Sequence, residues 1–282
     1  MGIFNDRTGW RTGWRTALAV GLAALLPILT PAGADARTLE EAKSSGKVII
    51  GIQGDNAPWG FINSTGVQEG YDADLARGFA DYLGVKVEFV PLAVANRIPS
   101  LRTGKVDALF ASMGMTPERA KNVQYAQPYA HNVMSVYATR DRKIANFDDL
   151  TGMTVGAPKS SPMDTALTAG AGNKANILRF DDDAATIQAI LSGQIEAIGG
   201  NQFYGDRLAA AGGKDYEVKF DLVTLYNSAA TRPGEKDWNE ALNAYLDKIK
   251  ANGDLEKVYA KWMKRPVPQF PASLQDIPYT VN

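Results

Sequence analysis

Short apolar runs alternate with amphipathic segments along the first half of the chain. Asp72–Leu83 carries apolar residues at helical spacing and stops at Gly84, and Ile98–Arg102 has the same character over a shorter length. Compact apolar runs typical of buried strands flank these helices, at Val48–Ile52, Val85–Val90 and Val106–Ala111. Strands that alternate with helices predict a parallel or mixed sheet covered on both faces.

The same alternation restarts in the second half. The predicted strands are Val133–Thr139, Met153–Ala157, Ile195–Ile198 and Leu222–Thr231, and the predicted helices are Ala184–Ser192, Asp237–Asn252 and Leu255–Lys264. The segment Gly104–Ala108 has an echo in Gly193–Ala197, since in both a glycine precedes a strand that contains an acid. We therefore expect two α/β units built alike, of which the second interrupts the first. The proline-rich tail, Arg265–Asn282, is expected to run extended over the surface.

The N-terminal segment has the pattern of a cleavable export signal. Arg7, Arg11 and Arg15 precede an apolar stretch at Thr16–Leu29, and Ala34–Ala36 has the small-x-small form of a cleavage site. The apolar stretch is shorter than the roughly 20 residues that a membrane span needs. Residues 1–36 are therefore predicted to be a signal peptide, which implies a periplasmic mature chain starting near residue 37.

Charge and composition exclude several classes of partner and chemistry. The chain has 282 residues with 30 Lys and Arg against 31 Asp and Glu; without residues 1–36, which hold three arginines and two aspartates, the balance is 27 to 29. A slightly acidic chain argues against nucleic acid or an anionic membrane as partner. There is no cysteine and a single histidine, His131. We therefore predict no cofactor, no metal site and no catalytic residue.

The segment Gly104–Arg119 is typical of an anion-binding turn. It has the pattern of a short buried strand that ends in small residues and leads into a helix start, with Arg119 one turn into the helix. Backbone N–H groups, hydroxyls and a guanidinium then meet at one point, which can bind a carboxylate or another small anion. An ordinary strand–turn–helix whose arginine makes a surface ion pair is the alternative.

Six short motifs, in order, resemble a known family. They are Gly70–Ala76, Ile98–Ala108, Met115–Arg119, Gln127–Tyr129, Asp149–Gly152 and Asn252-Gly253. The chain resembles the bacterial periplasmic polar amino-acid-binding proteins of ABC importers, from about Val48 to Met263. The resemblance implies an α/β, two-lobe periplasmic-binding-protein fold, in which each lobe is a mixed or parallel sheet flanked by helices. Lobe 1 would be 37–132 plus 229–282 and lobe 2 would be 133–228, joined by hinge strands near 132–140 and 222–233.

The resemblance also implies a set of ligand contacts. Arg119 would pair with the ligand's α-carboxylate, to which a planar guanidinium can donate two parallel hydrogen bonds. Ser112 and Gly114 would donate to the same group, and Trp59 would wall the pocket unless its role is lobe packing. The complete predicted set of ligand-binding residues is Gln53, Asn56, Trp59, Ser112, Gly114, Arg119, Ser160, Ser161 and Asn201.

Two residues depart from the family pattern. Asn201 stands where an aspartate usually receives the ligand's α-ammonium, and Gln53 stands where many members have an acid. An uncompensated buried ammonium costs several kcal/mol. Either Asp55 or Asp164 pairs with the ammonium, or the ligand's nitrogen is substituted, neutral or missing. An amino acid, an amino-acid derivative or another small carboxylate therefore stays open as the ligand.

The function predicted from the sequence is that of a monomeric periplasmic receptor that delivers its ligand to an inner-membrane ABC permease. A cyclohexadienyl-dehydratase-like enzyme on the same scaffold is one alternative, with Asp55 or Asp164 as its acid. A ligand-sensing module is another. The acidic clusters Asp148-Asp149 and Asp181–Asp183 are interpreted as helix caps and solvated loop.

Overall fold

The computed structural model describes residues 36–212 and 215–281. All of them belong to one compact unit, Gly33–Asn282. The predicted signal peptide, residues 1–36, lies outside the described residues except for Ala36. None of the helices described is long and apolar enough to cross a membrane.

The first part of the chain alternates between short strands and helices. The helices are α1 (Leu39–Ser44), α2 (Tyr71–Leu83), α3 (Arg97–Arg102) and α4 (Pro117–Ala120), with a 3-10 turn at Val94–Asn96. The strands are β1 (Lys47–Ile52), β2 (Asp55–Asn56), β3 (Gly60–Ile62), β4 (Gln68–Glu69), β5 (Lys86–Pro91), β6 (Ala108–Leu109) and β7 (Gln124–Tyr125).

The remainder has longer strands and ends in two helices. The strands are β8 (Ala130–Thr139), β9 (Thr154–Pro158), β10 (Asn176–Phe180), β11 (Ala197–Asn201), β12 (Tyr216–Asn227) and β13 (Ala230–Thr231). The helices are α5 (Pro162–Ala171), α6 (Asp183–Leu191), α7 (Tyr204–Ala210), α8 (Lys236–Ala251) and α9 (Asp254–Met263), with a 3-10 turn at Phe147–Leu150.

Most of the strands form two five-stranded mixed sheets. In the order β5–β1–β6–β13–β7, the first three strands are parallel and β13 is antiparallel to its neighbours. In the order β10–β9–β11–β8–β12, the first three are again parallel, and β8 and β12 are antiparallel to their neighbours. We call the parts built on these sheets the first and the second lobe. The small sheet β2–β3–β4 contacts α2 and is counted with the first lobe.

Two neighbouring segments connect the lobes. The chain enters the second sheet through β8 and returns through β12, and these strands pair with each other along most of their length. Beyond the paired strands, the N–H of Tyr129 donates to the carbonyl of Asn227 (2.9 Å) and the N–H of Ala126 to that of Ala229 (3.0 Å). Because the two segments are hydrogen-bonded to each other, a change in the angle between the lobes must bend both together.

One predicted strand is divided in the structure. The sequence predicts a single strand over Leu222–Thr231, but β12 ends at Asn227 and β13 begins at Ala230. Ser228 lies between them, where the chain changes sheet, and its hydroxyl donates to the carbonyl of Ala126 (2.8 Å). The apolar run continues through this point, from half-buried residues at the end of β12 to buried ones in β13, so the pattern alone does not reveal the division.

A buried carboxylate at the start of α2 holds the turn after β6. Asp72 is inaccessible to solvent; Oδ2 accepts the N–H of Ser112 (2.6 Å) and Oδ1 accepts the hydroxyl of Tyr129 (2.8 Å). Ser112 has a φ of 47°, which a residue other than glycine adopts only when its surroundings enforce it. Burial raises the pKa of Asp72 from 3.8 to about 6, although the two hydrogen bonds oppose the shift.

We predict that Asp72→Asn removes a pH dependence of folding stability. The folded-state pKa of about 6 lies above the ordinary value of 3.8, so the native state binds the additional proton in this window. The free energy of unfolding of the wild type therefore falls as pH rises from about 4 to 6, by about 2–3 kcal/mol from this group. Urea denaturation of both proteins between about pH 4.5 and 7.5 measures the difference, because the remaining carboxyls titrate in both. A difference that is constant across this range would contradict the prediction.

Candidate functional site

A small cavity lies between the lobes, where strands of both sheets end. It has a volume of about 20 Å³. Its polar side chains are Gln53, Asn56, Arg97 and Ser112 from the first lobe, Asn132 from a connecting strand, and Ser161, Asp183 and Asn201 from the second lobe. Each of these residues is at most 9% exposed. Loops at the carboxyl ends of parallel strands are the usual position of ligands in open α/β sheets, and this cavity is therefore the candidate binding site.

Ser112 presents a hydrogen-bond donor to this cavity. Its Oγ accepts the side-chain amides of Asn227 (3.0 Å) and Asn132 (3.5 Å). A hydroxyl has two acceptor positions and one O–H, so the O–H of Ser112 remains to donate to a ligand oxygen. The Oδ1 of Asn132 is buried without a hydrogen-bond partner among residues 36–212 and 215–281, so the wall also holds an acceptor.

The N-terminus of α5 forms part of the opposite wall. Ser161 caps this helix by accepting the N–H of Asp164 at its Oγ (3.1 Å), and Pro162 occupies the first turn, where no N–H is needed. Ser161, Pro162 and Met163 all line the cavity. A helix N-terminus carries a partial positive charge, so this wall favours an anionic group.

Side-chain hydrogen bonds between the lobes close the cavity. Nε2 of Gln53 donates to Oδ2 of Asp183 (3.0 Å), and Nδ2 of Asn201 donates to Oδ1 of Asn56 (3.1 Å). All four side chains also line the cavity. The contacts that hold the lobes together are therefore made by the same side chains that would face a ligand.

A second group of interlobe bonds lies beside the cavity. Nη1 of Arg207 donates to Oδ1 of Asn56 (3.0 Å), and Nη2 donates to the backbone oxygen of Asp55 (2.8 Å). The carboxylate of Asp55 accepts the N–H of Ala184 in the first turn of α6 (2.9 Å). A first-lobe carboxylate thus satisfies a free N–H of a second-lobe helix, at the end where negative charge is favoured.

Arg119 lies at the edge of the cleft, next to the cavity. Its Nη1 donates to the backbone oxygen of Gly114 (3.3 Å), and its Nη2 crosses to the backbone oxygen of Ser160 in the second lobe (3.0 Å). With Arg97 and Ser160 it lines a neighbouring cavity of about 60 Å³. Its contact with a ligand carboxylate stays a prediction, as does that of Ser160.

Two further predicted contacts lie outside the wall of the 20 Å³ cavity. The N–H of Gly114 donates to the backbone oxygen of Ser112 (2.9 Å). Trp59 is fully buried and packs edge-on against Tyr71 and Phe203, with ring centroids 5.9 and 5.8 Å away. Because Phe203 belongs to the second lobe, Trp59 takes part in a contact between the lobes. Contact of either predicted residue with a ligand stays a prediction.

The aspartates suggested by the sequence as ammonium partners are engaged elsewhere. Asp55 caps α6, as described above. Oδ1 of Asp164 accepts Nε of Arg179 (2.8 Å), and Oδ2 accepts the N–H of Ser160 (3.1 Å). Among the described residues, neither carboxylate is part of the cavity wall.

Sequence reasoning missed the two charged side chains that do line the cavity, Arg97 and Asp183. The interpretation of Asp181–Asp183 as caps and solvated loop is correct for Asp182, whose Oδ1 accepts the N–H of Ala185 (2.7 Å). It is wrong for Asp183, which is 2% exposed and faces the cavity.

The sequence contains a partial signal for each of these residues. Asp183 directly precedes the predicted helix at 184–192, at a helix start, where a carboxylate is favoured. Arg97 directly precedes the predicted helix at 98–102. Neither signal distinguishes a buried charge from an exposed one.

Burial shifts the pKa of both residues. It raises the pKa of Asp183 to about 6, and the neighbouring carboxylate of Asp55 acts in the same direction, while the hydroxyl of Tyr204 (2.6 Å from Oδ1) and the charge of Arg97 oppose it. Burial lowers the pKa of Arg97 to about 10. The positive charge of Arg119 acts in the same direction, and the negative charge of Asp183 opposes the shift. At neutral pH the cavity therefore holds a guanidinium on one lobe and a carboxylate on the other.

Comparison with known proteins extends over most of the chain. It is 31% identical over 235 residues to the ABC transporter glutamine-binding protein GlnH of Bacillus subtilis (strain 168), covering 80% of this chain and 85% of that protein. A mutant of ArgBP from T. maritima matches with a TM-score of 0.75 at 26% identity, covering 80% of this chain and 99% of the other.

A third similar protein is AncCDT-1, an ancestral amino acid-binding protein described as a precursor of cyclohexadienyl dehydratase. It matches with a TM-score of 0.73 at 31% identity, over 79% of this chain and 98% of the other. These neighbours are periplasmic binding proteins, which confirms the two-lobe fold predicted from the sequence. The profile of the bacterial extracellular solute-binding proteins, family 3, matches residues 48–265. The chain belongs to this family of solute-binding proteins.

Proposed function

We propose that this protein is a receptor that binds an amino acid or a related small carboxylate between its lobes and delivers it to an ABC importer. The observation that carries the proposal is the chemistry of the cavity wall. The hydroxyl of Ser112, the N-terminus of α5 and the guanidinium of Arg97 favour an anion, and the carboxylate of Asp183 favours a cation. An α-amino acid carries both charges on adjacent groups. The relatives named for binding glutamine and arginine support the same class of ligand.

Ligand entry requires the lobes to separate. A cavity of about 20 Å³ is large enough for about one water molecule but smaller than an amino acid. We infer that the lobes, 37–132 with 229–282 and 133–228, open by bending the paired connecting strands and close again over the ligand. A micromolar dissociation constant corresponds to about −8 kcal/mol, which a few buried charged hydrogen bonds can supply.

The localisation, the oligomeric state and the partner protein follow from the same proposal. We expect export to the periplasm by the N-terminal segment, a monomeric receptor, and docking of the closed form on an inner-membrane permease. Arg119, Gly114, Trp59 and Ser160 are proposed to contact the ligand or to adjust as it is enclosed, since all four lie beside the cavity or between the lobes.

We predict that at least one proteinogenic L-amino acid raises the melting temperature of the purified protein. A ligand that binds the folded form at a concentration of about 100 times its dissociation constant adds about 2.7 kcal/mol of stability. For a chain of this size that corresponds to roughly 5–10 °C. A thermal-shift screen of the twenty amino acids, with opines, betaines and small carboxylates, measures this, and the D-enantiomer of each hit serves as its control. A screen without any shift would contradict the proposed ligand class.

We further predict that Arg119→Ala weakens amino-acid binding at least about tenfold while the protein stays folded. The change removes a guanidinium that can pair with a carboxylate and that also bonds the backbone of Ser160 across the cleft. Arg119→Lys should weaken binding similarly, because an ammonium lacks the planar fork. Isothermal titration calorimetry measures the affinity.

Arg102→Ala is the matched control for this substitution. Arg102 is exposed at the end of α3 and lies outside both cavities. Its replacement removes the same charge and should leave the affinity within about twofold of the wild type. Unchanged affinity in a folded Arg119→Ala protein would refute the role of Arg119.

A dehydratase is the second candidate function, because AncCDT-1 is described as a precursor of such an enzyme and Asp183 has the raised pKa of a general acid. We propose that the chain is not an enzyme, since its family and the similar glutamine-binding protein GlnH are solute-binding proteins. We predict no phenylpyruvate from prephenate and no phenylalanine from arogenate, measured by absorbance and chromatography at about pH 6 and 7.5. Product that disappears in Asp183→Asn would overturn this.

A further inference from the structure

Two opposite charges face each other across the cavity. Arg97 begins α3 in the first lobe and is 3% exposed; Asp183 begins α6 in the second lobe and is 2% exposed. Both line the cavity. No ion pair joins these two residues in the part of the chain that the structure describes. A guanidinium and a carboxylate thus line the same cavity without pairing with each other.

The hydrogen bonds of Arg97 leave part of its guanidinium free. Its Nη1 donates to the backbone oxygen of Ala111 (2.6 Å). Its Nε is buried without an acceptor within residues 36–212 and 215–281. A buried cation that lacks a full set of partners is costly, so this donor is suited to a group that enters from outside the chain.

Asp183 has capacity for another donor. Its Oδ1 accepts the hydroxyl of Tyr204 (2.6 Å), and its Oδ2 accepts Nε2 of Gln53 (3.0 Å). An ionised carboxylate has about four acceptor positions, so two remain. Gln53 and Asn201, where the family pattern suggests acids, are neutral amides, and Asp183 is the carboxylate in the described wall of the cavity.

We propose that Asp183 receives the ammonium group of the ligand and that Arg97, beside Arg119, faces its carboxylate, so that the cleft selects zwitterions. This rests on the proposed function, because it assigns roles within the same ligand site. It replaces the suggestion that Asp55 or Asp164 supplies the missing charge at Asn201. Asp183 thereby becomes the residue that distinguishes an amino acid from a carboxylate without an ammonium group.

The charges around the cleft fit a ligand without net charge. The buried charges Asp72, Arg97 and Asp183, with the charged groups that act on them, are three cations (Arg97, Arg119 and Arg207) and three carboxylates (Asp55, Asp72 and Asp183). Three charges of each sign balance, which favours a neutral zwitterion over an ion with an uncompensated charge.

The charged and titratable groups that face Asp183 give the expected pH dependence. Asp55 lies beside it from the first lobe and Tyr204 from α7, with Arg97 and Arg207 as the neighbouring cations. Its pKa in the protein without ligand is about 6. An ammonium binds the ionised form, so affinity is full above this value and falls as pH drops through it.

The test compares two probes that differ in the ammonium group alone. L-Glutamine is the first, and glutaramate, in which hydrogen replaces that group, is the second. By titration calorimetry at about pH 7.5, Asp183→Asn should weaken L-glutamine binding at least about thirtyfold and glutaramate binding less than about threefold. If another amino acid shifts the melting temperature more than L-glutamine, it and its des-amino counterpart are used as the pair.

Asp182→Asn is the matched control. It removes the same charge from the adjacent residue, and asparagine remains a good helix cap. Asp182 does not line the cavity, so both affinities should stay within about twofold of the wild type. Melting temperatures of the three proteins show whether each variant is folded.

The wild-type protein provides a second readout that needs no variant. Its dissociation constant for L-glutamine should rise about tenfold between about pH 7.5 and 5, while that for glutaramate should rise much less. Asp72, which has a similar pKa, accepts the N–H of Ser112, whose hydroxyl is expected to meet the carboxylate that both probes share, so its titration should affect both probes alike.

The outcomes separate the two proposals. Unchanged L-glutamine binding in a folded Asp183→Asn protein, equal losses for both probes, or a pH dependence of equal size for both would overturn the role of Asp183 and leave the receptor function intact. A wild-type protein that binds none of the amino acids, opines, betaines and small carboxylates of the screen would overturn the proposed function itself.

Discussion

The cost of removing charges from water is the constraint on which this cleft depends. Arg97 and Asp183 are both nearly inaccessible to solvent. Burial lowers the pKa of Arg97 and raises that of Asp183, so in each case it favours the neutral form. A direct ion pair between them would offset part of that cost. The fold instead anchors each to its own surroundings, Arg97 to the carbonyl of Ala111 and Asp183 to the hydroxyl of Tyr204. The cavity is therefore suited to a ligand whose own charges pair with both residues.

Closure over this space is mainly polar. Gln53, Asn56 and Arg207 reach across the cleft to amide, carboxylate and carbonyl groups that water can also satisfy when the lobes part. Each such bond contributes about 1–3 kcal/mol net, because opening exchanges it for bonds to water. The contact between Trp59 and Phe203 adds an apolar component. A small number of polar bonds therefore suits an interface between lobes that must open and close, whereas a large apolar interface would stabilise the closed form too strongly.

Local features of the fold can be predicted from the sequence, whereas features that depend on contacts between the two lobes cannot. Helix α2 and its stop at Gly84 follow from apolar spacing and from a residue that tolerates a left-handed conformation, and both are observed. Five of the residues that the resemblance indicated line the cavity, namely Gln53, Asn56, Ser112, Ser161 and Asn201. The sequence analysis did not identify Arg97 and Asp183 as cavity residues because each lies at a helix start, where charged residues are usually exposed to solvent. Each is buried in the structure because a segment distant in sequence covers it. Periodicity records which face of an element is apolar, and it contains no information about which polar residues a second lobe will enclose.

The relation between Asp55 and Asp183 explains how a ligand could drive closure. Asp55 of the first lobe accepts the N–H of Ala184, one residue from Asp183, so closing the lobes brings two carboxylates close together. That repulsion disfavours the closed form when nothing lies between the lobes. An ammonium beside Asp183 offsets it, and does so in the closed form alone, because the two carboxylates separate on opening. A ligand shifts a conformational equilibrium by its difference in affinity for the two forms, and here that difference arises from the ammonium. A carboxylate without one would bind the same anion donors and leave the lobes less firmly closed.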